Sequence, residues 1–449
     1  MTEMVDLAQM LDARERRAQR QREVLDAYGL PLISFTMNIA GPVKNGPEIR
    51  QGFRIGRRIL QEQLRRMRVP IVFSEEVDEV TGCEMCCVVR GKAEDIKRLT
   101  CEIEEKSRLG RLFDMDVLSP DGTQLMRDVP RKCLICGKPA KECARSRTHT
   151  VEELQAKTKQ LLEEAIAEDD AMTAASLAVR SLLDEVCTTP KPGLVDRNNS
   201  GSHDDMDIFT FMSSASVLWP YFQECVRIGR ESRDMDAPET FQRLRWPGKM
   251  AEGHMLRATS GVNTHKGAIF SMGLLCGALG RLERDAWRQP ERVLREIASM
   301  TAGTIQREMA GLSQETAESA GQKLYVEYGV RGVRGQAEDG FPTVIEYGMP
   351  VLEEGLRQGR SLEEAGRAAM LALLAHTDDT NMISRGGMER QKEKAEELRA
   401  LLEKEPYPDE KTLKELDAEY IKEHLSPGGS ADLLAICYML HFLQEKDET

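Results

Sequence analysis

Apolar residues in the first third of the chain change repeatedly between a helical spacing of three to four and short β-prone runs. Residues 3–28 follow the helical spacing, and Gly29 and Pro31 end that predicted helix. The further predicted elements are a strand in LISFTMNIAG, a helix over 45–68, strands in IVFSEEV and CCVVRG, a helix over 93–109, and a hairpin in RLFDMDVLSPDGTQL. This mixture of strands and helices predicts an α+β domain.

After residue 148 the pattern becomes helical almost throughout, and strand-like runs nearly vanish. We therefore predict two domains, an N-terminal α+β domain over 1–168 and a C-terminal all-α domain over 169–449. Residues 388–424 are so rich in charge that we expect them to form an exposed helical excursion.

Composition narrows the class of protein. The 449 residues are 41% hydrophobic and 31% charged, which is typical of a soluble globular protein. The net charge of −13 argues against non-specific nucleic-acid binding. The sequence shows neither a signal-like N-terminus nor an apolar run of 18 residues, and its eleven cysteines include several clusters. We expect a cytoplasmic protein with reduced thiols that binds neither membrane nor nucleic acid.

Two aspartates in the first predicted domain are candidates for metal binding. Asp114 and Asp116 are two residues apart in LFDMDVL, so on a strand their side chains share one face and could both reach one Mg²⁺ ion. The alternative is an edge strand that carries two solvated acids.

Basic residues follow the first predicted strand. Lys44 lies in a loop with two proline breaks, and Arg50 begins a helical face rich in arginine. Such a surface suits polyphosphate or an acidic protein partner, whereas the alternative is a solvated helix face.

A cysteine-rich segment follows the aspartate pair. Its spacing, Cys133-x2-Cys136-x6-Cys143-x5-His149, has the four ligands of a structural zinc site. Since only one pair has the usual tight spacing, reduced structural thiols remain the alternative.

Two polar loops in the second half carry candidate chemistry. The loop after EVCTTP places acids, bases and a histidine within 17 residues, a density suited to metal binding or acid–base catalysis. A second loop opens an apolar helix, whose N-terminus favours anions. The candidates are Lys191, Arg197, His203, Asp204, Asp205 and Asp207 in the first loop and Asn263, His265 and Lys266 in the second.

Further irregular segments add basic and acidic groups. GVRGVRGQAEDGFPTV contains Arg331 and Arg334, which could clamp phosphate, and HTDDTNMISRGG contains Asp378, Asp379 and Arg385. Together with the two loops, these segments predict a helical scaffold whose loops could bind a triphosphate with Mg²⁺.

The motifs resemble two known enzyme families that act in succession. PLISFTMNIAGPVKNG, LFDMDVLSPDG and RKCLICGKPAKECARSRTH resemble the holo-acyl-carrier-protein synthase of citrate lyase, an apo-citrate lyase phosphoribosyl-dephospho-CoA transferase. EVCTTPKPGLVDRNNSGSHDDMD, GVNTHKGAIFSMGLL, YGVRGVRGQAEDGFPTV, DDTNMISRGG and SPGGSADLLA resemble triphosphoribosyl-dephospho-CoA synthase. The chain thus resembles a fusion of both.

For the second domain, the resemblance implies that ATP is joined to the 2′-hydroxyl of 3′-dephospho-CoA with release of adenine. His203 with Asp205 or Asp207 would supply acid–base catalysis, while Asp378 and Asp379, with Asp204, would hold Mg²⁺. Phosphate and substrate binding would fall to Lys191, Arg197, Asn263, His265, Lys266, Arg334 and Arg385.

For the first domain, the resemblance implies transfer of the product to a serine of the apo acyl carrier protein of citrate lyase, with release of pyrophosphate. Asp114 and Asp116 resemble the metal-binding pair of nucleotidyltransferases, which suggests that fold, although Gly110-Arg111 replaces the usual Gly-Ser lead-in. Lys44 would bind phosphate, and the arginine face that Arg50 begins would bind phosphate or the acidic carrier. The alternatives are the same chemistry for the malonate decarboxylase carrier, or a non-catalytic ATP-binding zinc adaptor.

Overall fold

A computed structural model describes residues 3–317 and 319–445. The chain divides into two compact units, of which the first ends at Asp169 and the second begins at Asp170. The division falls inside one long helix, Val151–Cys187.

The first unit combines a four-stranded sheet with helices. Its elements are α1 (Leu7–Tyr28), β1 (Leu32–Met37), α2 (Pro47–Arg66), β2 (Ile71–Glu79), β3 (Gly82–Val89), α3 (Ala93–Lys106), β4 (Phe113–Leu118), α4 (Ala140–Ser146) and the start of α5 (Val151–Cys187). The strand order is β2-β3-β1-β4, and neighbouring strands are antiparallel. The prediction of a mixed domain is confirmed, whereas the nucleotidyltransferase-like fold stays a prediction.

The two faces of this sheet differ in polarity, because side chains alternate along each strand. One face is apolar and packs into the main core of the unit; Phe35, Met85 and Met115 lie on it. In β4, Asp114 and Asp116 alternate with buried apolar residues and are paired with Thr36 and Ser34 of β1. The two aspartates therefore share the polar face, as the spacing predicts.

The second unit is helical throughout its described residues, which confirms the all-α prediction. Its elements after α5 are α6 (Ile208–Ser216), α7 (Trp219–Glu231), α8 (Ala237–Ala258), α9 (Lys266–Arg281), a 3₁₀ helix (Arg284–Arg288), α10 (Pro290–Thr301), α11 (Thr304–Met309), α12 (Ala320–Tyr328), α13 (Gly332–Glu338), a π-helical turn (Val344–Gly348), α14 (Met349–Arg357), α15 (Leu362–Ala375), α16 (Thr380–Lys404, kinked at Gly387), α17 (Glu410–Lys422) and α18 (Gly428–Gln444).

Helices α9 and α18 form the centre of this unit and are buried along most of their length. Glycine lets α7 and α9 approach closely, since a Cβ atom on Gly229 or Gly280 would lie 2.0–2.1 Å from a backbone oxygen of the other helix. The first turns of α9 and α18 both contribute to the candidate site described below.

The predicted helical excursion at 388–424 is helical, and most of its charged residues are exposed, but the expectation that it projects away from the core is wrong. This segment forms most of α16 and all of α17, and Leu398, Leu413 and Tyr420 are buried in a shared apolar cluster. Lys394 is only 1% exposed and pairs with Glu419 and with Glu397. Most other charged side chains of the segment are exposed, and the pairs between the two helices join Arg390 and Lys394 to Glu419 and Glu423.

Candidate active sites

A cleft of about 850 Å³ opens in the second unit, lined by the loop after α5 and by the starts of α9, α16 and α18. Its volume is within the usual range for small-molecule sites. It brings together nine of the predicted residues, Lys191, His203, Asp205, Asn263, His265, Lys266, Asp378, Asp379 and Arg385.

The loop over 188–207 has its shape fixed by two buried aspartates. Asp196 accepts hydrogen bonds from the backbone N–H groups of Lys191, Asn198 and Asn199 at 2.7–3.2 Å. Asp417 of α17 accepts from the Gly193 N–H at 2.9 Å and from the Asn199 amide at 2.8 Å. Asp196 therefore stabilises this wall of the cleft from within the loop, and Asp417 stabilises it from α17, which belongs to the 388–424 segment.

A group of buried charges forms part of the cleft lining. The Lys191 ammonium is 1% exposed, donates a 2.8 Å hydrogen bond to the Glu185 carbonyl and forms an ion pair with the Glu185 carboxylate. Burial raises the pKa of Glu185, of Asp379 and of Asp432. In Asp432 the neighbouring carboxylates Glu185 and Asp379 raise the pKa further. Three carboxyl groups near one ammonium favour a bound proton or cation.

His203 is oriented by hydrogen bonds to both ring nitrogens. Arg385 donates to Nδ1 at 3.3 Å, so Nε2 carries the proton and donates to the Ser426 hydroxyl at 2.9 Å. Burial lowers the pKa of His203, and the charge of Arg385 lowers it further, whereas Asp205 and Asp204 act in the opposite direction. The imidazole is consequently neutral at neutral pH, the state required of a general base.

His265 precedes the first residue of α9 and is 3% exposed. Its Nδ1 atom shares a 2.7 Å hydrogen bond with the Ser214 hydroxyl, and its ring packs edge-on against Phe211. Burial lowers its pKa to about 3. The Nε2 atom is buried and has no hydrogen-bond partner in the part of the chain that the structure describes, and the same holds for the Thr264 and Thr377 hydroxyls.

Asp379 connects the starts of two helices. One carboxylate oxygen accepts from the N–H groups of Asn381 and Met382, and the other accepts from the N–H and hydroxyl of Ser430, at 2.7–3.2 Å. A Cβ atom on Gly429 would lie 3.0 Å from the second oxygen, so glycine permits this approach. All four acceptor positions of the carboxylate are thus engaged.

Four predicted residues of this domain lie outside the cleft lining. Asp207 caps α6 by accepting from the Thr210 N–H at 2.9 Å. Arg197 forms an ion pair with Glu363, Arg334 forms one with Glu308, and Asp204 is exposed. Arg331, three residues before Arg334, lines the cleft instead and pairs with Asp339 at 2.8 Å.

In the first unit, the aspartate pair faces cations. The Arg131 guanidinium donates to Asp114 at 2.8 Å and also to the Phe113 carbonyl. The Lys97 ammonium lies 3.8 Å from the Asp116 carboxylate. Both carboxylates remain more than 40% exposed, so they are accessible as well as paired.

Three arginines lie around the buried Glu104 carboxylate beside Asp114, a feature that the sequence analysis missed. Arg127 and Arg131 flank the buried carboxylate of Glu104 at 3.4 and 3.6 Å. Burial lowers the pKa of Arg111, and the charges of Arg131 and Arg127 lower it further. Nitrogen atoms of Arg111 and Arg127 are buried without a hydrogen-bond partner within the described residues. Crowded guanidinium groups of this kind attract a polyanion.

The predicted basic residues at the start of α2 are engaged locally. The Lys44 ammonium donates to the Ile39 carbonyl at 2.6 Å, and burial lowers its pKa. Arg50 pairs with Asp78 of β2 at 2.9 Å, and Arg57 pairs with Glu76 at 3.0 Å. The acids of β2 thus offset part of the positive charge on this helix face.

Within the described residues, no three acidic side chains converge as a preformed metal site in either unit; the one convergent group of potential ligands consists of Cys133, Cys136, Cys143 and His149. Mg²⁺ usually takes one or two carboxylates and completes its shell with water and phosphate oxygens. Asp114 with Asp116 in the first unit, and Asp378 in the second, offer one or two accessible carboxylates of this kind.

Comparison with known proteins identifies the family. The sequence model of CitG, ATP:dephospho-CoA triphosphoribosyl transferase, matches residues 171–449. That of CitX, apo-citrate lyase phosphoribosyl-dephospho-CoA transferase, matches residues 5–165. Protein CitXG of Leuconostoc mesenteroides subsp. cremoris is 32% identical over 98% of this chain and 97% of its own length. The chain belongs to the CitXG family.

Further relatives agree with this assignment. Protein CitXG of Haemophilus influenzae is 34% identical over 96% of this chain and 95% of its own length. The 2-(5''-triphosphoribosyl)-3'-dephosphocoenzyme-A synthase of Pectobacterium atrosepticum is 40% identical over 57% of this chain and 84% of its own length. This CitXG-family chain is a bifunctional transferase of citrate lyase prosthetic-group synthesis. No helix in its described residues is sufficiently long and apolar to cross a membrane.

Sequence analysis missed two acids of the CitXG-family cleft, the buried Glu185 and the half-buried Asp432. Asp432 is the sole acid in the apolar stretch that begins α18, and such an isolated charge in a buried helix was a usable signal. Glu185 lies near the end of α5 and has no comparable sequence signal. Only its ion pair with Lys191, which the sequence does not show, distinguishes it from a surface acid.

Proposed function

We propose that the second unit joins ATP to 3′-dephospho-CoA in its cleft, forming 2′-(5″-triphosphoribosyl)-3′-dephospho-CoA and releasing adenine. In this step the 2′-hydroxyl oxygen forms a bond to ribose C1′ of ATP, and the bond from C1′ to adenine breaks. The hydroxyl proton goes to a base, and adenine leaves with a proton from an acid. The observation that carries the proposal is that one cleft is lined by three acids with raised pKa values, Glu185, Asp379 and Asp432, by the neutral His203 and by three helix starts.

Two groups in the cleft suit the two proton transfers. His203 is neutral, so we assign it, with Asp205 beside it, to activation of the hydroxyl; its Nδ1 atom would accept the hydroxyl proton in place of the hydrogen bond from Arg385, while Nε2 donates to Ser426. Burial and the neighbouring carboxylates of Glu185 and Asp379 raise the pKa of Asp432, which favours its protonated form and suits protonation of the departing adenine. Asp207 is committed to the cap of α6, so we assign it no role in proton transfer.

Phosphate binding is assigned to the cations and helix starts of the cleft. Lys266 and Arg385 are exposed at the lining, and Asn263 and His265 lie beside the start of α9. The N-terminus of α9 carries partial positive charge, which favours a bound polyphosphate, whereas Asp379 already caps the starts of α16 and α18. Lys191 instead neutralises Glu185, and the ion pair holds both side chains at the cleft.

The cleft also fits a magnesium ion that accompanies the triphosphate. Asp378 is exposed on the lining and would hold Mg²⁺, whereas Asp379 keeps two helix starts together with all its acceptor positions engaged. When bound, the ion would neutralise charge on the phosphate oxygens.

We propose that the first unit transfers the product onto a serine of the apo acyl carrier protein of citrate lyase. The serine oxygen forms a bond to the α-phosphorus, pyrophosphate leaves, and the hydroxyl proton passes to a base. Asp114 and Asp116 would hold Mg²⁺, and Arg111, Arg127 and Arg131 would bind the departing pyrophosphate. The exposed part of the α2 arginine face would receive the acidic carrier. Eleven free thiols fit a cytoplasmic setting.

A coupled assay tests both halves. Purified full-length chain is supplied with ATP, Mg²⁺, 3′-dephospho-CoA and apo-carrier, while adenine and pyrophosphate are measured separately. We expect adenine release that requires 3′-dephospho-CoA, and pyrophosphate release that requires the carrier as well. Release of ADP or AMP without adenine would contradict the second-unit assignment, and modification of a malonate decarboxylase carrier alone would contradict the carrier assignment.

A further inference from the structure

The segment between β4 and α5 has almost no apolar core of its own. Among residues 119–150 the structure shows one helix of seven residues, α4, and no strand. Only Cys133 and Cys143 are buried there, and Met126 and Val129 are exposed. A segment with so little buried apolar surface needs a cross-link to hold a fixed conformation.

The candidate cross-link consists of three thiols and one imidazole. Ligand atoms of Cys133, Cys136, Cys143 and His149 all lie within 4.8 Å of one another, and the Sγ atoms of Cys136 and Cys143 are 3.4 Å apart. In a tetrahedral zinc site with Zn–S bonds of about 2.3 Å, neighbouring sulfurs are ~3.8 Å apart. The four groups therefore already occupy the volume of one coordination shell.

His149 provides an independent sign of a missing ligand. Its Nε2 atom is buried without a hydrogen-bond partner in the described chain, although a buried ring nitrogen normally has one. The Nδ1 atom lies 3.9 Å from the Glu153 carboxylate, an arrangement that would orient a metal-bound imidazole.

The backbone presents the ligands as a zinc knuckle does. The Cys133 N–H donates to the Lys138 carbonyl at 2.6 Å across a tight turn, in which Gly137 adopts a φ of 73°. Cys143 lies on α4, and the Thr148 N–H donates to the Cys143 carbonyl at 3.1 Å, which directs the chain back toward His149.

We propose that Cys133, Cys136, Cys143 and His149 form a structural zinc site that fixes the 119–150 segment. Four protein ligands leave no open position, so the site is structural and not catalytic. Binding converts three thiols to thiolates and releases three protons. The site also positions the first-unit acids, because Arg131, two residues before Cys133, contacts Asp114 and its backbone carbonyl accepts from the Ala140 N–H.

Metal analysis of the full-length chain tests the proposal. Protein purified in a thiol-free reductant without chelators should contain about one zinc ion per chain. Cys136→Ser and Cys143→Ser should each retain at least tenfold less zinc against a competing chromogenic chelator. Cys101→Ser, which alters a thiol of α3 outside the cluster, is the matched control and should keep the full content. Replacement by Co²⁺ should give thiolate-to-metal absorption bands and intense tetrahedral bands.

A second readout separates metal loss from misfolding. In the Cys136→Ser and Cys143→Ser variants, limited proteolysis should cut within 119–150, while adenine release by the second unit should be unchanged. Zinc retained after substitution of all three cysteines would overturn the proposal. So would a chain that takes up no zinc when Zn²⁺ is supplied, or a Cys136–Cys143 disulfide in protein kept under reducing conditions.

Discussion

The candidate sites of the two units differ in how far they remove their groups from water. In the second unit, Glu185, His265 and Asp379 are buried, and burial is the largest cause of each pKa shift. In the first unit, Asp114 and Asp116 lie on an open sheet face and are already paired with cations. A site that receives a side chain of a folded carrier has to be open, whereas one that joins two small molecules is free to enclose them and exclude water.

The largest expected effect tests whether the two chemistries are separate. Asp114→Asn should lower carrier modification by about 10²–10³-fold and leave adenine release intact. Asp378→Asn should lower adenine release by a similar factor and leave carrier modification intact when the intermediate is supplied. The measurements are adenine release by chromatography and carrier mass after supplying the isolated intermediate. Asp95→Asn, which alters an exposed acid of α3, is the control for the first unit. Parallel loss of both activities in either variant would contradict the separation.

Removing the buried ammonium tests the enclosed character of the second site. Lys191→Met leaves the Glu185 carboxylate buried without its partner, so we expect the free energy of unfolding of the second unit to fall by about 3–5 kcal/mol. Lys266→Met, at an exposed lysine of the same cleft, should change it by less than about 0.5 kcal/mol. Denaturant unfolding measures both. Adding Glu185→Gln to Lys191→Met should restore much of the loss, and its failure to do so would contradict the ion-pair argument.

Asp432 should make the second unit less stable as pH rises. Its pKa is raised in the folded state, so its contribution to stability is present at low pH and is lost as the pH rises through that pKa. Asp432→Asn removes this loss, so the melting temperature of the variant should exceed that of the parent by more at pH 8 than at pH 5. A difference of 1 kcal/mol corresponds to about 2–4 °C for a unit of this size.

The same Asp432→Asn variant should lose most adenine release, because an amide provides no carboxyl proton to the leaving base. Asp378→Asn, which alters an exposed acid of the cleft, is the control for the melting measurement and should show no comparable dependence on pH. Equal stabilisation of the Asp432 variant at both pH values would contradict the buried-carboxyl interpretation.

The smallest expected effect concerns the pH profile of His203. Arg385 lowers the pKa of this histidine, so Arg385→Gln should move the acidic limb of kcat/KM for adenine release toward higher pH. Asp205 and Asp204 act in the opposite direction, so Asp205→Asn should move the same limb toward lower pH. Full pH profiles of both variants measure the two shifts. Shifts in the same direction would contradict the assignment of His203 as the base.

Periodicity predicted most of the helices and strands because each element buries one regular face. The strand LISFTM and the helix over 47–66 lie where the pattern places them, and Asp114 and Asp116 share a face because side chains alternate along any strand. The prediction failed at 388–424, where density of charge was interpreted as exposure. Most charged side chains of this segment are exposed, but apolar residues such as Leu398 and Tyr420 are buried, and Lys394 is buried against Glu419, contacts that composition does not encode.

The sequence predicted the residues of the candidate sites about as well as it predicted the helices and strands. Nine residues named from the loops line the second-unit cleft, since irregular polar segments between helices often carry ligands. The first-unit arginines were missed because Arg111, Arg127 and Arg131 are scattered over 21 residues without a motif. Arg334 and Arg331 have the same sequence context, and only the direction of each side chain places Arg331 in the cleft.

By itself, the sequence determined the two-family composition of the chain, the class of each domain, the shared face of Asp114 and Asp116, and the spacing of four potential zinc ligands. Only the tertiary structure decided which acids carry raised pKa values and which cap a helix. Periodicity and motifs depend on neighbours along the chain, whereas a pKa depends on burial and on charges that folding brings close, such as Glu185 and Asp379 around Asp432.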